Sequence, residues 1–195
     1  TIMGYRLKIG VLFTLFVVFC LPIASQKVAV KNNFLYDLTA TPNLGVEFCF
    51  APKWTADISG NYNPIAFSDD KKWKHWIVQP EVRYWFCESF NRHFVGMHLV
   101  GGVFNTGNIN ARPICFFPTH KDYRYEGESY GIGLGYGYHH ILTPRISLEY
   151  SVGLGYVHSN YEQFQCMHCG DYIDTGKKDY FGLTKAAVSL VIMLD

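Results

Sequence analysis

The sequence predicts an all-β fold: an eight-stranded antiparallel up-and-down transmembrane β-barrel that follows an N-terminal signal peptide. Three observations lead to this prediction. Apolar and polar residues alternate along most of the chain, with the two-residue period of a β-strand. The 195 residues include 18 Gly, 14 Tyr and 15 Phe, a composition that favours strands over helices. Only 17% of the residues are charged, and short turns alternate with longer polar loops, as in bacterial outer-membrane barrels.

The first 25 residues have the parts of a secretory signal peptide. Arg6 and Lys8 supply the positive start, residues 9–23 are almost wholly apolar, and small residues end the segment at Ser25. A membrane-spanning helix needs about 20 apolar residues, so this segment is short for one. We therefore expect cleavage near Ser25, with an uncleaved anchor as the alternative. Residues 26–195 then form a single barrel domain in the bacterial outer membrane.

Eight alternating segments follow in order, and most have the roughly 9–11 residues with which a tilted strand crosses a bilayer. The longer, more polar connections are Ile65–Lys74, Thr106–Asp122 and Ser159–Asp179, so we expect the long loops at one end and both termini at the other. The predicted strands are Val28–Thr39, Asn43–Phe50, Trp54–Asn63, His75–Cys87, Phe94–Asn105, Tyr123–His139, Arg145–His158 and Tyr180–Leu194.

The composition of the two strand faces favours a membrane barrel of the small OmpA/OmpX type over a secreted soluble barrel. Between Ile146 and Tyr156, one face carries Ile, Leu, Val and Tyr, whereas the other carries Ser, Gly and one Glu. Rows of glycine make a poor solvated surface but can line a narrow lumen. A broad apolar face with aromatic borders is what lipid contact requires.

The same alternation places charged side chains of both signs inside the barrel. An eight-stranded barrel is just wide enough for side chains to fill it, and buried charges are costly unless they are paired. We therefore expect an ion-pair network that fills the lumen, with an ion path or a set of catalytic carboxylates as the alternatives. The predicted members are Lys31, Asp37, Glu47, Asp57, Glu81, Arg83, Glu149 and Lys185.

Cys166, His168 and Cys169 lie in the longest predicted loop and could contribute to a zinc site. Because the sequence lacks a second Cys-x-x-Cys pair and exported loops favour disulfides, we predict neither a metal nor another cofactor. The chain shows no G-x-S-x-G motif, phosphate loop or dinucleotide fingerprint, so we predict no enzymatic activity. The pairing of the mature cysteines stays open, namely Cys49, Cys87, Cys115, Cys166 and Cys169.

Several runs of the sequence resemble the domain-of-unknown-function family 3575, over most of the mature chain. The resemblance implies a small exported outer-membrane protein of Bacteroidales-type bacteria, often encoded beside fimbrial genes, and it supplies no catalytic residues. Leu183 stands where relatives are expected to have Pro. The runs that carry the resemblance are residues 31–37, 41–47, 72–76, 79–87, 123–127 and 180–185.

We therefore expect a monomeric structural or surface-binding protein that contacts outer-membrane lipid and lipopolysaccharide, with fimbrial or envelope proteins as partners. A formal net charge of +1 argues against nucleic acid as a partner. One alternative is an outer-membrane enzyme acting on lipid or lipopolysaccharide, which needs a Ser or Cys nucleophile beside a base such as His158 or His168. The other alternative is a narrow pore.

Overall fold

The computed structural model describes residues 27–64, 66–68, 71–107, 124–164 and 172–194. These residues form one antiparallel sheet, in which eight long strands pair with their neighbours along the chain and close in a ring. This confirms the predicted all-β, up-and-down topology of eight antiparallel strands. The predicted signal peptide, Cys115, Cys166, His168 and Cys169 lie outside the described residues.

One short helix connects the first two long strands, and a further strand of three residues extends the sheet at one place. Their bounds are β1 Val28–Asn33, α1 Phe34–Asp37, β2 Asn43–Ala51, β3 Trp54–Asn63, β4 Ala66–Ser68, β5 Lys71–Trp85, β6 Arg92–Gly107, β7 Arg124–Ile141, β8 Ile146–Phe164 and β9 Tyr172–Leu194. Within the described residues, no helix is long and apolar enough to cross a membrane.

The ring closes with a large stagger between its first and last strands. Paired residues followed once around the sheet from Met193 return to the same strand, β9, at Gly182. The path passes through Ala29, Glu47, Asp57, Glu81, His98, Gly133 and Gly155. A stagger of this size in eight strands corresponds to a strand tilt of about 40° from the ring axis.

Three predicted strand ends differ from the structure by more than five residues, for physical reasons. The first strand ends at Asn33 because its side-chain oxygen accepts a hydrogen bond from the Leu35 N–H, at 3.1 Å, and so caps α1. At the other end of the chain, β8 and β9 continue far into the predicted loop Ser159–Asp179. Polar residues there still alternate, but an alternation between two polar faces gives no hydrophobic signal.

A β-bulge in β9 changes which residues face inward. The pairing of β9 with β8 shifts between Gly153 and Leu154, and Thr184 is the additional residue. As a result Thr184 and Lys185 are both buried inside the ring, although they are consecutive. The alternation reverses beyond this point, which leaves Phe181 on the outer face with 80% of its surface exposed.

Candidate functional site: an interior charge cluster

Charged side chains from six strands meet in the middle of the ring. Each is less than 9% exposed, and each belongs to a strand whose alternate residues point inward. The cluster, called the interior charge cluster below, consists of Lys31, Glu47, Asp57, Glu81, Arg83, Glu149 and Lys185. The structure thus brings together seven of the eight charged residues that the sequence placed inside.

Arg83 lies at the centre of this cluster. Its Nε lies 2.6 Å from Glu81 Oε2, and its Nη1 lies 2.8 Å from Glu47 Oε2 and 3.0 Å from Glu149 Oε2. The planar guanidinium can donate in several directions at once, which lets one cation bind three carboxylates. The guanidinium carbon of Arg83, Cζ, also lies 4.5 Å from the centre of the Phe94 ring. Arg83 therefore contacts both the carboxylates of the cluster and the neighbouring aromatic residues.

Two lysines complete the positive half of the cluster. Lys31 Nζ donates to Glu149 Oε2 at 2.8 Å and is also ion-paired with Glu47. Lys185 Nζ donates to Glu81 Oε2 at 2.6 Å from the opposite side of the ring. Glu47, Glu81 and Glu149 therefore each contact at least two cationic groups at hydrogen-bonding distance, as buried carboxylates require.

Asp57 is the least well paired carboxylate of the interior charge cluster. Its nearest cationic atoms are Lys31 Nζ at 3.6 Å and Arg83 Nη2 at 3.7 Å. Its Oδ1 atom is buried and has no hydrogen-bond partner, although only 2% of the residue is exposed. The cluster holds four carboxylates and three cationic side chains, and His139 Nδ1 also lies 3.6 Å from Glu149 Oε2.

The predicted interior position of Asp37 is wrong. This residue lies in α1, where it is exposed, and its Oδ1 accepts a hydrogen bond from Asn43 Nδ2 at 2.9 Å. The alternation that placed it inside ends when the strand ends at Asn33. Asp37 therefore contributes to the connection between β1 and β2 and not to the interior.

Neutral side chains complete the cluster's hydrogen bonds. Thr55 donates to Glu47 and accepts from Trp85 Nε1 at 2.9 Å. Thr184 Oγ1 lies 2.8 Å from His98 Nε2, and Gln79 Nε2 donates to the Thr184 carbonyl at 3.0 Å. Only the bulge brings Thr184 inside, so no simple period could have predicted its role.

Aromatic side chains close the ring at the end that carries the short turns. Trp85 packs against Phe94 and Phe90, with ring centres 4.7 Å and 5.7 Å apart, and all three are at least 95% buried. Phe90 adopts a positive φ of 62°, a conformation that costs energy for a residue with a Cβ. This backbone turns the Phe90 side chain back into the ring, where it fills the space beside Trp85.

A small cavity of about 40 Å³ lies on the other side of the interior charge cluster. Its polar wall includes Asp57, Ser59 and Asn61 from β3 and Gln79 from β5. Tyr36 of α1 and the cationic side chains of Lys31, Arg83 and Lys185 also line the cavity. A cavity needs about 10–15 Å³ to hold one water molecule, so this space can hold a few small species.

The outer face of the ring is a continuous apolar belt. On β8 the outward residues from Ile146 to Tyr156 are all apolar or aromatic, and the next outward residues are His158, Asn160 and Glu162. Other strands contribute large, exposed apolar side chains to the same belt, among them Leu44, Val46, Ile58, Val78, Val82, Met97, Leu99, Ile132, Leu134, Leu183 and Ile192.

A histidine and an aspartate lie on the outer face just beyond this belt. Asp179 Oδ1 accepts from Tyr156 Oη at 2.6 Å and lies 2.5 Å from His158 Nδ1. The hydrogen bond from Tyr156 and, to a smaller degree, that with His158 hold the pKa of the exposed Asp179 carboxyl below its ordinary value. The other nitrogen of His158, Nε2, lies 3.3 Å from Asn160 Oδ1, so its recorded partner is an amide and not a Ser or Cys nucleophile.

The cysteines and the metal-ligating side chains of the described residues form neither a disulfide nor a metal site. Among the described residues, no group of three or more His, Cys, Asp or Glu is arranged to hold a metal ion. Cys49 and Cys87 are free thiols, and Cys49 Sγ lies 3.1 Å from Ser89 Oγ. The predicted cluster of Cys166, His168 and Cys169 lies outside the described ranges.

One comparison with known proteins gives a match. The family described as "Protein of unknown function (DUF3575)" matches residues 11–194, which is nearly the whole chain. No curated protein and no solved structure matches the chain.

Proposed function

The chain belongs to the DUF3575 family, and we propose that it is an outer-membrane β-barrel with a filled lumen, acting as a structural or surface-binding protein. The observation that carries the proposal is the apolar belt around a polar, charged interior. A soluble ring of this size would place its apolar residues inside and its charges in water. The opposite arrangement suits a protein whose outer surface is covered by lipid.

The height of the belt supports this proposal. Ile146 and Tyr156 are ten residues apart on β8, and their side chains point to the same outer face. At about 3.3 Å per residue and a tilt of about 40°, this distance corresponds to a height of about 25 Å. The apolar band of outer-membrane barrels has the same height, about 25 Å.

The border of the apolar belt toward the long-loop end supports the membrane proposal independently. On five strands, the outward residue at the edge of the belt toward the long-loop end is aromatic: Tyr62, Trp76, Tyr130, Tyr156 and Phe181. Beyond Trp76, Tyr130, Tyr156 and Phe181, the next outward residues are Lys74, Glu128, His158 and Asp179, respectively. Aromatic residues with one apolar and one polar side are enriched at membrane–water interfaces.

The contents of the ring argue against a pore. The Trp85, Phe90 and Phe94 side chains fill one end, and the interior charge cluster crosses the middle. Ion flow would require both groups to move apart, which would leave buried charges without partners. We infer that the ring is a scaffold and that binding takes place at its long-loop end.

The long-loop end is where a partner would meet the protein. There β7, β8 and β9 continue beyond the belt, and their outward residues become polar, for example Glu126, Glu162 and Lys177. Lipopolysaccharide head groups and a fimbrial or envelope protein are the proposed contacts of this surface. Photo-crosslinking from Lys177 in intact cells identifies the contact, and crosslinks confined to cytoplasmic proteins would contradict the proposal.

Fractionation with gel migration tests the membrane location. We expect the full-length protein, expressed in its host, in the outer-membrane fraction after a carbonate wash. Unboiled samples should migrate differently from boiled ones, because a closed barrel resists unfolding by detergent. Recovery of the protein as a soluble secreted species, with identical migration in both samples, would refute the proposal.

A further inference from the structure

We propose that the open edge of β9, between Tyr172 and Asp179, pairs with an extended segment of a partner protein that carries two consecutive acidic residues. This inference rests on the proposed function and deepens it, since it names how a protein partner binds at the long-loop end. Three observations carry it: a strand edge that no described strand covers, the direction of its backbone groups, and two lysines that form no ion pair within the described residues.

One edge of β9 lacks a neighbouring strand over most of its length. The strand has 23 residues, but its pairing with β1 covers only Ser189–Leu194. The Asn33 side chain extends this contact as far as the Ala186 carbonyl. Among the described strands, β8 alone pairs with the segment Tyr172–Asp179. An edge of this kind presents a row of unpaired N–H and C=O groups, to which another chain can add a strand.

This segment lies beyond the apolar belt, where a protein partner can reach it. Phe181 is the outward residue of β9 at the border of the belt, and Asp179 is the next outward residue. Most side chains between Tyr172 and Asp179 are exposed. At about 3.3 Å per residue, this edge is about 26 Å long, which is the length of an ordinary strand.

The cross-strand register shows which backbone groups point to the open edge. A Cβ atom added to Gly127 of β7 would collide with the Asn160 carbonyl, so Asn160 of β8 directs its backbone groups at β7. Asn160 lies opposite Lys177, and the backbone groups of Lys177 therefore point away from β8, as do those of every second residue from it. The Thr175 N–H points the same way and donates to its neighbour's carboxylate, Asp174 Oδ1, at 2.8 Å.

Two neighbouring lysines define the chemistry of the partner. Lys177 lies on the outer face of β9 and Lys178 on the inner face, and neither forms an ion pair with another described residue. The carboxylates of Asp174 and Asp179 already accept hydrogen bonds from this chain. Consecutive residues of an added strand point to opposite faces, so two consecutive acidic residues would each lie beside one lysine.

The same lysines argue against a second copy of this chain as the partner. Two copies in one membrane have the same orientation, so their β9 strands would run in the same direction and bring lysines beside lysines. Like charges directly opposite each other destabilise a sheet, and lysines on an edge strand are a common protection against pairing of identical edges. The edge is therefore unfavourable for its own copy and favourable for an acidic strand.

Peptide binding to the refolded protein in detergent micelles tests the proposal. The probe is a peptide of about eight alternating Thr and Val residues with Asp-Glu at its centre, and the control peptide has Lys-Arg there. The acidic peptide should slow amide hydrogen exchange of Lys177 and Asp179 by about tenfold, and that of Gly176 and Lys178 less, because their N–H groups point to β8. Equal binding of both peptides, or protection without this alternation, would overturn the proposal.

Charge reversal on the edge provides the matched variants. Lys177→Glu combined with Lys178→Glu should weaken binding of the acidic peptide at least about tenfold and strengthen binding of the basic one. Lys74→Glu reverses an exposed lysine of β5 at the same end of the ring and should leave the binding of both peptides unchanged. Equal effects of the edge and β5 variants would contradict pairing at β9.

A backbone variant separates strand addition from simple charge attraction. Lys177→Ala removes one charge, whereas Lys177→Pro also removes an N–H that points to the open edge, so the proline variant should bind the acidic peptide more weakly than the alanine variant. Equal binding by these two variants would contradict strand addition. Heat-modifiable migration reports barrel formation in each sample, so a folded barrel that does not bind the peptide would refute this inference and leave the membrane proposal intact.

Discussion

Arg83 is the residue on which the interior of the ring depends most. It contacts Glu47, Glu81 and Glu149, and it also lies 4.5 Å from the Phe94 ring centre. Removing one partner of a buried ion network is far more costly than losing a surface pair, because the remaining charges stay buried without compensation.

Replacing Arg83 by Gln should therefore destabilise the folded protein by about 3–5 kcal/mol. The measurement is urea unfolding of the protein in lipid vesicles. Arg145→Gln serves as the matched control because Arg145 is exposed in the short turn between β7 and β8, and its loss should cost less than about 1 kcal/mol. Similar losses for both variants would mean that the interior charges are not coupled.

Gly137 shows why the inner face of the ring contains so many small residues. A Cβ atom at this position would collide with the Phe94 ring, which packs directly on the Gly137 backbone. At Gly101, which lies on the outer face between Leu99 and Val103, a Cβ would meet no atom within 4 Å. Packing therefore requires a glycine at Gly137 but not at Gly101.

Gly137→Ala should destabilise the protein by about 1–3 kcal/mol, because the Phe94 ring must move from its place beside Trp85. Gly101→Ala should leave the stability nearly unchanged. Both variants can be compared by the same urea unfolding in vesicles. An equal effect of the two substitutions would contradict the packing described for the aromatic end of the ring.

At the residue scale, the sequence predicted where most interior charges lie and not how they pair. Alternation places Glu47, Glu81 and Glu149 inward, since each lies in a regular strand. It misplaced Asp37 because a local side-chain cap at Asn33 ended the strand, and it missed Thr184 because a bulge shifted the period. The pairing of Arg83 with three carboxylates depends on the ring stagger, which no single segment encodes.

At the element scale, the end of the β1–β2 hairpin is closed by side-chain amides. Asn33 Oδ1 accepts from the Val188 N–H at 3.2 Å, and Asn33 Nδ2 donates to the Ala186 carbonyl at 3.2 Å. In the same way, Asn43 Oδ1 accepts from the Asn33 N–H at 2.6 Å, and Asn43 Nδ2 donates to the Asn33 carbonyl at 3.0 Å. These amides continue the sheet ladder where the strand backbone leaves it for α1.

Asn33→Ala should lower the stability by about 1–2 kcal/mol, because it removes both a helix cap and a ladder contact. Hydrogen exchange of the Val188 amide should accelerate more than that of amides in the middle of β9. Asn91→Ala, in the short turn before β6, provides the control and should leave the exchange of Val188 unchanged. If hydrogen exchange of the Val188 amide is unchanged in Asn33→Ala, the Asn33 side chain does not stabilise the end of this strand pair.

Element boundaries were harder to predict than the elements themselves. The bounds of Trp54–Asn63 were predicted correctly, since that strand lies between a Pro-Lys turn and a further proline. The ends of β8 and β9 lie beyond the apolar belt, where both faces of the sheet are polar. A hydrophobic period cannot reveal a strand in such a segment, although cross-strand pairing still holds it.

At the scale of the whole molecule, we propose that the outer belt contacts lipid. Leu134 lies in the middle of the belt on β7 with 69% of its surface exposed, and Leu142 lies in a short turn beyond it. An arginine at the centre of a bilayer is costly, whereas one near the interface is tolerated.

Leu134→Arg should therefore destabilise the vesicle-inserted protein by about 2–4 kcal/mol, and Leu142→Arg by at most about 1 kcal/mol. The free energy of unfolding in vesicles gives both values directly. In a soluble ring both substitutions would cost little, since a charge on a water-exposed surface is hydrated. The comparison thus separates the two environments with two substitutions of the same kind.

A nitroxide scan along β8 tests the central claim most directly. Single cysteines are introduced from Ile146 to Glu162 in a cysteine-free protein that keeps its heat-modifiable migration, and each label is probed in vesicles with oxygen and with a water-soluble nickel chelate. Oxygen accessibility should alternate with a period of two, peak at Leu148, Val152 and Leu154, and give way to nickel accessibility from His158 onward. Nickel accessibility that peaks at the same belt positions would place the outer face in water and contradict the account.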